Sequence, residues 1–265
     1  MRNKIVVVTG AASGIGAAIC RKFGEQGAWI ALLDMDEKGL DARVQELSQK
    51  GIKAFGQVCD VTDQEQCLSV MQEIIHRCGG IDVLVNNAGI TQRCPFIEAS
   101  ISMYRRVMDI NFFGAVHCTI AAIESLMKRK GQIIVISSIA GLTPVLGRTG
   151  YSASKHALHG FFGTLRAEMR AHDVHVLIVC PGFTRTDLQS RALGGDGSIT
   201  THPQSKVGRQ ASPEDVANAV YRGAVKRKNL LILTVVGKLS HLIYKISSKL
   251  YERIMEKGLR RELER

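Results

Sequence analysis

The chain has 265 residues, 45% of them apolar and 22% charged, enough for one α/β domain with a substantial buried core. Its seven cysteines, Cys20, Cys59, Cys67, Cys78, Cys94, Cys118 and Cys180, are odd in number and scattered through apolar segments, a pattern against a disulfide framework or a metal site and in keeping with reduced thiols. The net charge of +11 is uneven: residues 226–265 hold eleven Lys/Arg against four Asp/Glu, so the basicity describes a tail, and no nucleic-acid-binding motif accompanies it.

The first element, a strand over residues 5–9, starts so early that no signal peptide is expected before it. With no run of 18 apolar residues anywhere, the expectation is a cytoplasmic protein that does not span a membrane. Thr9-Gly10-Ala11-Ala12-Ser13-Gly14-Ile15-Gly16 follows that strand and opens a helix near 14–26. Glycine suits a turn in which backbone must approach a pyrophosphate and offer amide donors at a helix N-terminus. A second strand over 28–34 ends on Asp34, eighteen residues after Gly16, near the spacing at which a carboxylate accepts hydrogen bonds from an adenosine ribose. Such a carboxylate repels a 2′-phosphate, and no Arg or Lys stands at Ser13, Met35 or Asp36 to compensate, so NAD is expected over NADP. A simple turn before the next helix is the alternative use of Asp34.

Further along, a helix near 37–49, a strand over 52–59, a helix near 63–78 and a strand over 83–86 continue the alternation. Asp60 closes the third strand, where it either faces a ligand or caps the following helix. A helix over 101–128, a strand over 132–137, a helix over 150–171, a strand over 175–180, a helix over 213–226 and a strand over 230–233 complete the count. The strands are near-continuous in apolar residues, as in a parallel sheet buried on both faces. The fold expected is α/β: one Rossmann-like doubly wound domain over 1–235, a seven-stranded parallel sheet with helices on both faces, binding ligands beyond the carboxyl ends of its strands. A loop over 185–212 is long enough to be functional. The C-terminal extension, 236–265, carries an apolar stripe (Leu239, Leu242, Ile243, Ile246, Leu250, Ile254) opposite Lys245 and Lys249 within 238–257. A basic amphipathic helix of this kind lies on an anionic membrane surface or covers a neighbouring subunit or its own domain, and both readings stay open.

Together, Thr9 to Gly16, Asp60, Asn86-Asn87-Ala88-Gly89, Asn111, Ser138, Tyr151 with Lys155, and Pro181-Gly182 followed by Thr186 resemble the short-chain dehydrogenase/reductase family over nearly all of residues 4–235. The resemblance implies an oxidoreductase moving a hydride between NAD(H) and an alcohol/ketone pair. Its catalytic set falls on Asn111, Ser138, Tyr151 and Lys155, with Asn111 holding a water that links Lys155 to solvent. Its cofactor contacts fall on Gly10, Ser13, Gly14, Ile15, Gly16, Asp34, Met35, Asp60, Val61, Asn87, Ala88, Gly89, Tyr151, Lys155, Pro181, Gly182, Phe183, Thr184 and Thr186. A homodimer or homotetramer built on helices 101–128 and 150–171 is implied as well.

The chemistry follows from the residues too. A secondary alcohol releases hydride only if its hydroxyl proton also leaves, which requires a base. A tyrosine with a pKa of about 10 is a poor one unless nearby cations favour the phenolate, and Lys155 lies one helical turn beyond Tyr151. Ser138 is placed to hydrogen-bond the substrate oxygen. Ile139, Leu142, Pro144, Val145, Leu146, Cys94, Phe96 and Phe183 surround the expected cleft and favour a lipophilic, steroid-, retinoid- or long-chain-like substrate. Arg93, Arg148 and Arg185 leave room for a carboxylate or phosphate. A 3-ketoacyl thioester reductase and a non-catalytic NAD-binding regulator are the alternatives.

Overall fold

The computed structural model describes residues 1–205 and 210–263, so residues 206–209 of the expected long loop lie outside it. Seven strands alternate with helices: β1 (Ile5–Thr9), α1 (Gly14–Glu25), β2 (Trp29–Asp34), α2 (Glu37–Gln49), β3 (Ala54–Val58), α3 (Gln64–Cys78), β4 (Val83–Asn86), α4 (Ile101–Met108), α5 (Gly114–Arg129), β5 (Gln132–Ile136), α6 (Thr149–Glu168), β6 (His175–Cys180), α7 (Pro213–Val225), β7 (Leu230–Ile232), α8 (Val235–Ile246) and α9 (Ser248–Leu259). They form one sheet in the order β3-β2-β1-β4-β5-β6-β7 with every pair parallel.

β1 pairs on one edge with β2 (Val6 beside Ile30) and on the other with β4 (Val6 beside Val83), so strand order reverses between β1 and β4. Loops leaving the two strands there diverge to opposite faces and open a crevice, the usual ligand position in such sheets. Period-two alternation splits each strand between two cores. Val7, Ala31, Leu33 and Leu84 pack with α3, α5 and α6 on one face, while Val6, Val8, Ile30 and Leu32 pack with α1, α2 and α7 on the other.

Local chemistry sets the helix starts. Asp36 caps α2 by accepting from the Gly39 amide, Asp63 caps α3 from Gln66, and Ser212 forms a capping box with Asp215 at α7, where Pro213 takes the first helical position.

Two expectations change. The helix expected over 101–128 is interrupted by a π-turn, Asp109–Phe113, that separates α4 from α5. By length and hydropathy alone the stretch Ile101–Arg129 could cross a bilayer, yet Val107, Cys118, Ala122 and Leu126 in it are fully buried in the domain. The tail stripe expected as one element is two helices, broken at Ser247, whose hydroxyl caps α9 through the Leu250 amide. The long loop after β6 is stitched to the segment after β4 by backbone bonds, Arg93 N–H to Leu193 O at 2.8 Å and Ser100 N–H to Gly195 O at 2.8 Å.

Candidate active site

At the carboxyl ends of β1, β2, β4, β5 and β6 lies a cavity of about 610 Å³. Its lining includes Gly10, Ser13, Gly14, Ile15, Asp34, Met35, Asp60, Val61, Asn87, Ala88, Gly89, Ser138, Tyr151, Lys155, Pro181, Gly182, Phe183, Thr184 and Thr186. Gly16 and Asn111 do not line it and support it from behind.

The turn after β1 is a cradle that side chains would fill. A Cβ at Gly16 would sit 2.0 Å from the Gly10 carbonyl oxygen, and Gly10 holds φ at +64° with Ala88 Cα 2.9 Å from its own hypothetical Cβ. The Thr9 hydroxyl accepts from the Asn87 and Ala88 amides at 3.0 Å each, and Asn87 Nδ2 donates to the Thr9 and Gly10 carbonyls, locking the end of β4 against this turn. The residue types and shape fit a dinucleotide: exposed helix N-terminal amides and no Cβ between backbone and ligand.

Asp34 lines the cavity, and its carboxylate also shapes two turns. One carboxylate oxygen accepts from the Ala12 amide at 3.0 Å, tying the Gly-rich turn to β2, and the other from Asp36 N–H at 3.1 Å, shaping the turn into α2. Asp60 is not the cap of α3, which is Asp63; it accepts from the amide and hydroxyl of Thr62 at 2.9 and 2.8 Å and faces the cavity.

Ser138, Tyr151 and Lys155 converge. Tyr151 and Lys155 occupy successive turns of α6, both buried, with Lys155 Nζ 5.7 Å from the Tyr151 ring centroid and donating to the Ile136 carbonyl at 2.9 Å. The Ser138 hydroxyl accepts from the Ala140 amide at 3.1 Å, leaving its own proton for the Tyr151 oxygen, to which it is hydrogen-bonded. Burial pushes the Tyr151 phenol above its usual range, opposed by the Ser138 hydrogen bond and the Arg148 charge. Burial also pushes Lys155 down to about 8. The phenol is therefore not acidified by its protein neighbours alone, so the phenolate needs more than the cation that the spacing supplies.

Asn111 sits in the π-turn, a frequent marker of functional sites. Its Oδ1 accepts from Ile90 N–H at 2.8 Å while Nδ2 donates to the Ile90 carbonyl and the Ser154 hydroxyl at 2.9 Å each. It thus clamps the segment after β4 to α6. Gly89 lies between it and Lys155: a Cβ there would be 3.0 Å from Asn111 Oδ1 and 3.6 Å from Lys155 Nζ.

The expected substrate wall is corrected in part. Ile139, Val145 and Phe183 line the cavity; Leu142, Pro144, Leu146, Cys94 and Phe96 do not, Cys94 being buried in a separate cluster with Met103 and Phe96 largely exposed. The missing wall comes from α8 and α9, through Val236, Gly237, Ser240, Tyr251, Ile254, Met255, Gly258 and Leu259. Close contact fixes this roof: a Cβ at Gly237 would meet Ile139 Cδ1 at 2.2 Å, and the Tyr251 hydroxyl lies 2.9 Å from the Pro144 carbonyl and 3.0 Å from Thr143 Oγ1. Glu262 ends the tail in a buried ion pair with Arg148 at 3.1 Å and accepts from Ser205 N–H. Arg93 is likewise committed internally, to the His202 carbonyl at 3.0 Å, and Arg185 is exposed outside the cavity.

Sequence reading missed two further residues. Gln92, fully buried, accepts from the Gly150 and Tyr151 amides at 3.1 and 3.3 Å, satisfying the first turn of α6 in place of a local cap. Arg191, from the loop after β6, lines the cavity with its guanidinium 3.5 Å from Ser13 Oγ. No local pattern marks either one; their roles exist only once segments distant in sequence meet.

The model of the short chain dehydrogenase family matches residues 4–194. Dehydrogenase/reductase SDR family member 7B of Xenopus tropicalis is 37% identical over 270 residues, covering 99% of this chain and 87% of the frog protein. The same-named protein of Mus musculus is 36% identical, covering 99% and 83%. Among solved structures, a short-chain dehydrogenase/reductase from Burkholderia phymatum in complex with NAD superposes with a TM-score of 0.84 at 22% identity, over 94% of this chain and 95% of that one. An alcohol dehydrogenase from Thermococcus sibiricus complexed with 5-hydroxy-NADP gives 0.74 at 26% identity, over 86% and 93%.

Proposed function

Because the chain belongs to the short-chain dehydrogenase/reductase family, we propose that it is a nicotinamide-dependent oxidoreductase that interconverts a lipophilic alcohol and its ketone, with NAD as the preferred cofactor. The observation that carries this reading is the convergence of Ser138, Tyr151 and Lys155 on the Gly-rich cradle within one cavity, to whose wall Ile139, Val145, Phe183 and Met255 contribute apolar side chains.

The bound cofactor supplies the hydride acceptor or donor and, when oxidised, a positive ring. Everything else falls to the chain. Gly10 to Gly16 leave space and amides for the pyrophosphate, Asp34 takes the ribose hydroxyls, Asp60 and Val61 face the adenine, and Thr186 closes from the loop after β6. Ser138 donates to the substrate oxygen. Tyr151 takes the hydroxyl proton during oxidation and returns it during reduction. Lys155, with a pKa near 8, is mostly cationic at neutral pH, and its charge favours the phenolate that burial alone disfavours. Asn111 and Gln92 are positioning residues that hold the segment after β4 and the first turn of α6 in register. A homo-oligomer joined through the helices around residues 101–128 and 150–171 accords with the exposure of Ile101, Phe113 and Ile120 in the first of these stretches.

A lipophilic substrate is favoured because Arg93 and Arg148 are paired with internal partners, while Ile139, Val145, Phe183 and Met255 line the cavity with carbon. A panel of hydroxysteroids, retinol, long-chain secondary alcohols, 3-hydroxyacyl thioesters and small polyols, read at the reduced-nicotinamide absorbance, tests this. Turnover confined to polyols overturns the lipophilic assignment, and turnover confined to thioesters replaces it with the ketoacyl reductase reading.

One observation favours a second reading of the cofactor. Arg191 beside Ser13 brings a cation to the turn where the sequence has none, and could offset Asp34 toward a 2′-phosphate. Michaelis constants for NAD and NADP separate the readings: a preference for NADP that disappears in Arg191→Gln replaces NAD with NADP.

A further inference from the structure

The tail helices use one face to roof the cavity and leave the other without a partner. Among the described residues eighteen large apolar side chains are exposed, and seven of them, Val235, Val236, Leu239, Leu242, Ile246, Leu250 and Ile254, fall within this short stretch. Isolated exposed apolar residues are ordinary, but a contiguous concentration marks a contact surface. Val235 and Ile246 are 80% and 77% exposed.

Two further features say what the surface fits. Lys238, Lys245, Lys249, Arg253 and Lys257 are exposed on the same two helices, which carry only Glu252 and Glu256 in opposition. On α9, cationic and apolar groups meet in a shallow cleft lined by Leu250, Arg253, Ile254, Glu256, Lys257 and Arg260. A second copy of the chain would set these cations against one another across a two-fold contact, whereas a sheet of anionic headgroups over acyl chains satisfies both the charge and the apolar stripe. Moreover, Val236 and Ile254 belong to both surfaces: each lines the cavity and each is about half exposed, at 48% and 51%. The apolar stripe therefore reaches the lip of the cavity.

We propose that the outer face of α8 and α9 docks on an anionic lipid bilayer, and that the lip at Val236 and Ile254 then opens toward the acyl region, so that substrate enters from the membrane. The entry route rests on the lipophilic-substrate reading; the docking surface does not.

Flotation of the full-length protein tests the docking, using phosphatidylcholine vesicles with and without phosphatidylserine. The protein floats with the anionic vesicles and not with the neutral ones, and added salt weakens its binding. Leu242→Glu/Ile246→Glu, placed away from the cavity lining, lowers binding at least about tenfold and leaves turnover of a short water-soluble alcohol unchanged. With a long-chain alcohol dissolved in the vesicles, the native protein turns over faster on anionic than on neutral vesicles, and the double variant loses that difference. Failure to float at low ionic strength overturns the proposal, as does a sedimentation shift showing that the double substitution dissociates an oligomer. Flotation without any turnover of lipophilic alcohols leaves the docking standing and removes the lipophilic-substrate reading.

Discussion

The floor and the roof of the cavity are built by different means. The floor rests on strand ends, Asp34 and Ile136 among them, held by sheet pairing and by side chains that bond backbone, as Thr9 and Asn111 do. The roof is two helices and the short turn after them, which meet the rest of the domain through contacts such as Gly237 on Ile139, Tyr251 on Pro144 and Glu262 on Arg148, while much of the helices' outer surface faces solvent. The contrast teaches where precision is needed. Proton and hydride transfer require fixed atoms, so they sit on elements that cannot move without breaking the sheet. Selecting and admitting a substrate tolerates, and benefits from, parts that move.

This contrast breaks most sharply at Tyr151. Tyr151→Phe keeps the ring and its packing and removes the proposed proton carrier, so turnover falls by about a thousandfold while reduced-cofactor affinity, followed by fluorescence titration, stays within a few-fold. Equal losses in both would mean that Tyr151 shapes the floor instead of acting on substrate.

A large effect on the roof comes from Glu262→Ala. It leaves the Arg148 guanidinium buried without its counterion, and Arg148 lines the cavity, so the roof is destabilised by about 3 kcal/mol. The loss is local: hydrogen exchange accelerates over α8 and α9 while the β1 to β6 amides keep their protection. Uniform loss of protection would show the two regions to be one cooperative unit.

Beneath the floor, His159 sits between Ser137 Oγ at 3.0 Å and Cys180 Sγ at 3.6 Å, and burial pushes its pKa down to about 4. An imidazole that resists protonation only when folded contributes stability that is complete above its unfolded pKa of about 6.5 and is lost as pH falls toward 4. The full loss approaches about 3 kcal/mol. In His159→Gln the acid decline in Tm between those pH values flattens; an unchanged profile would place the acid sensitivity elsewhere.

Most of the floor was legible in the sequence because its determinants are local. Glycines, an acid at a strand end, and a Tyr and Lys one turn apart announce themselves by spacing. The π-turn at Asp109–Phe113 was not, since nothing in the apolar period of 101–128 differs there; the Asn111 bonds to Ile90 and Ser154 are tertiary. Nor was the roof, whose stripe reads the same whether it covers its own cavity, a subunit or a membrane. Leu142, Pro144, Leu146, Cys94 and Phe96 were expected around the cleft, yet the chain turns them away from the cavity and brings Tyr251 and Met255 there from about a hundred positions further on. The smallest expected effect sharpens this point: Tyr251→Phe removes hydrogen bonds worth about 1 kcal/mol, raising KM for a lipophilic alcohol several-fold with kcat unchanged. A lower kcat would move Tyr251 from the roof into the chemistry.

The account stands or falls on hydride leaving a carbon held beside Tyr151 for the cofactor at the Gly-rich turn. A long-chain secondary alcohol deuterated at its carbinol carbon, incubated with the protein and oxidised nicotinamide dinucleotide, tests this by mass spectrometry of the reduced cofactor. Deuterium in the reduced nicotinamide with the native protein, and none above background with Tyr151→Phe, is the predicted result. Label transferred equally well by the variant, or no label transferred from any alcohol to NAD or NADP by the native protein, would contradict it.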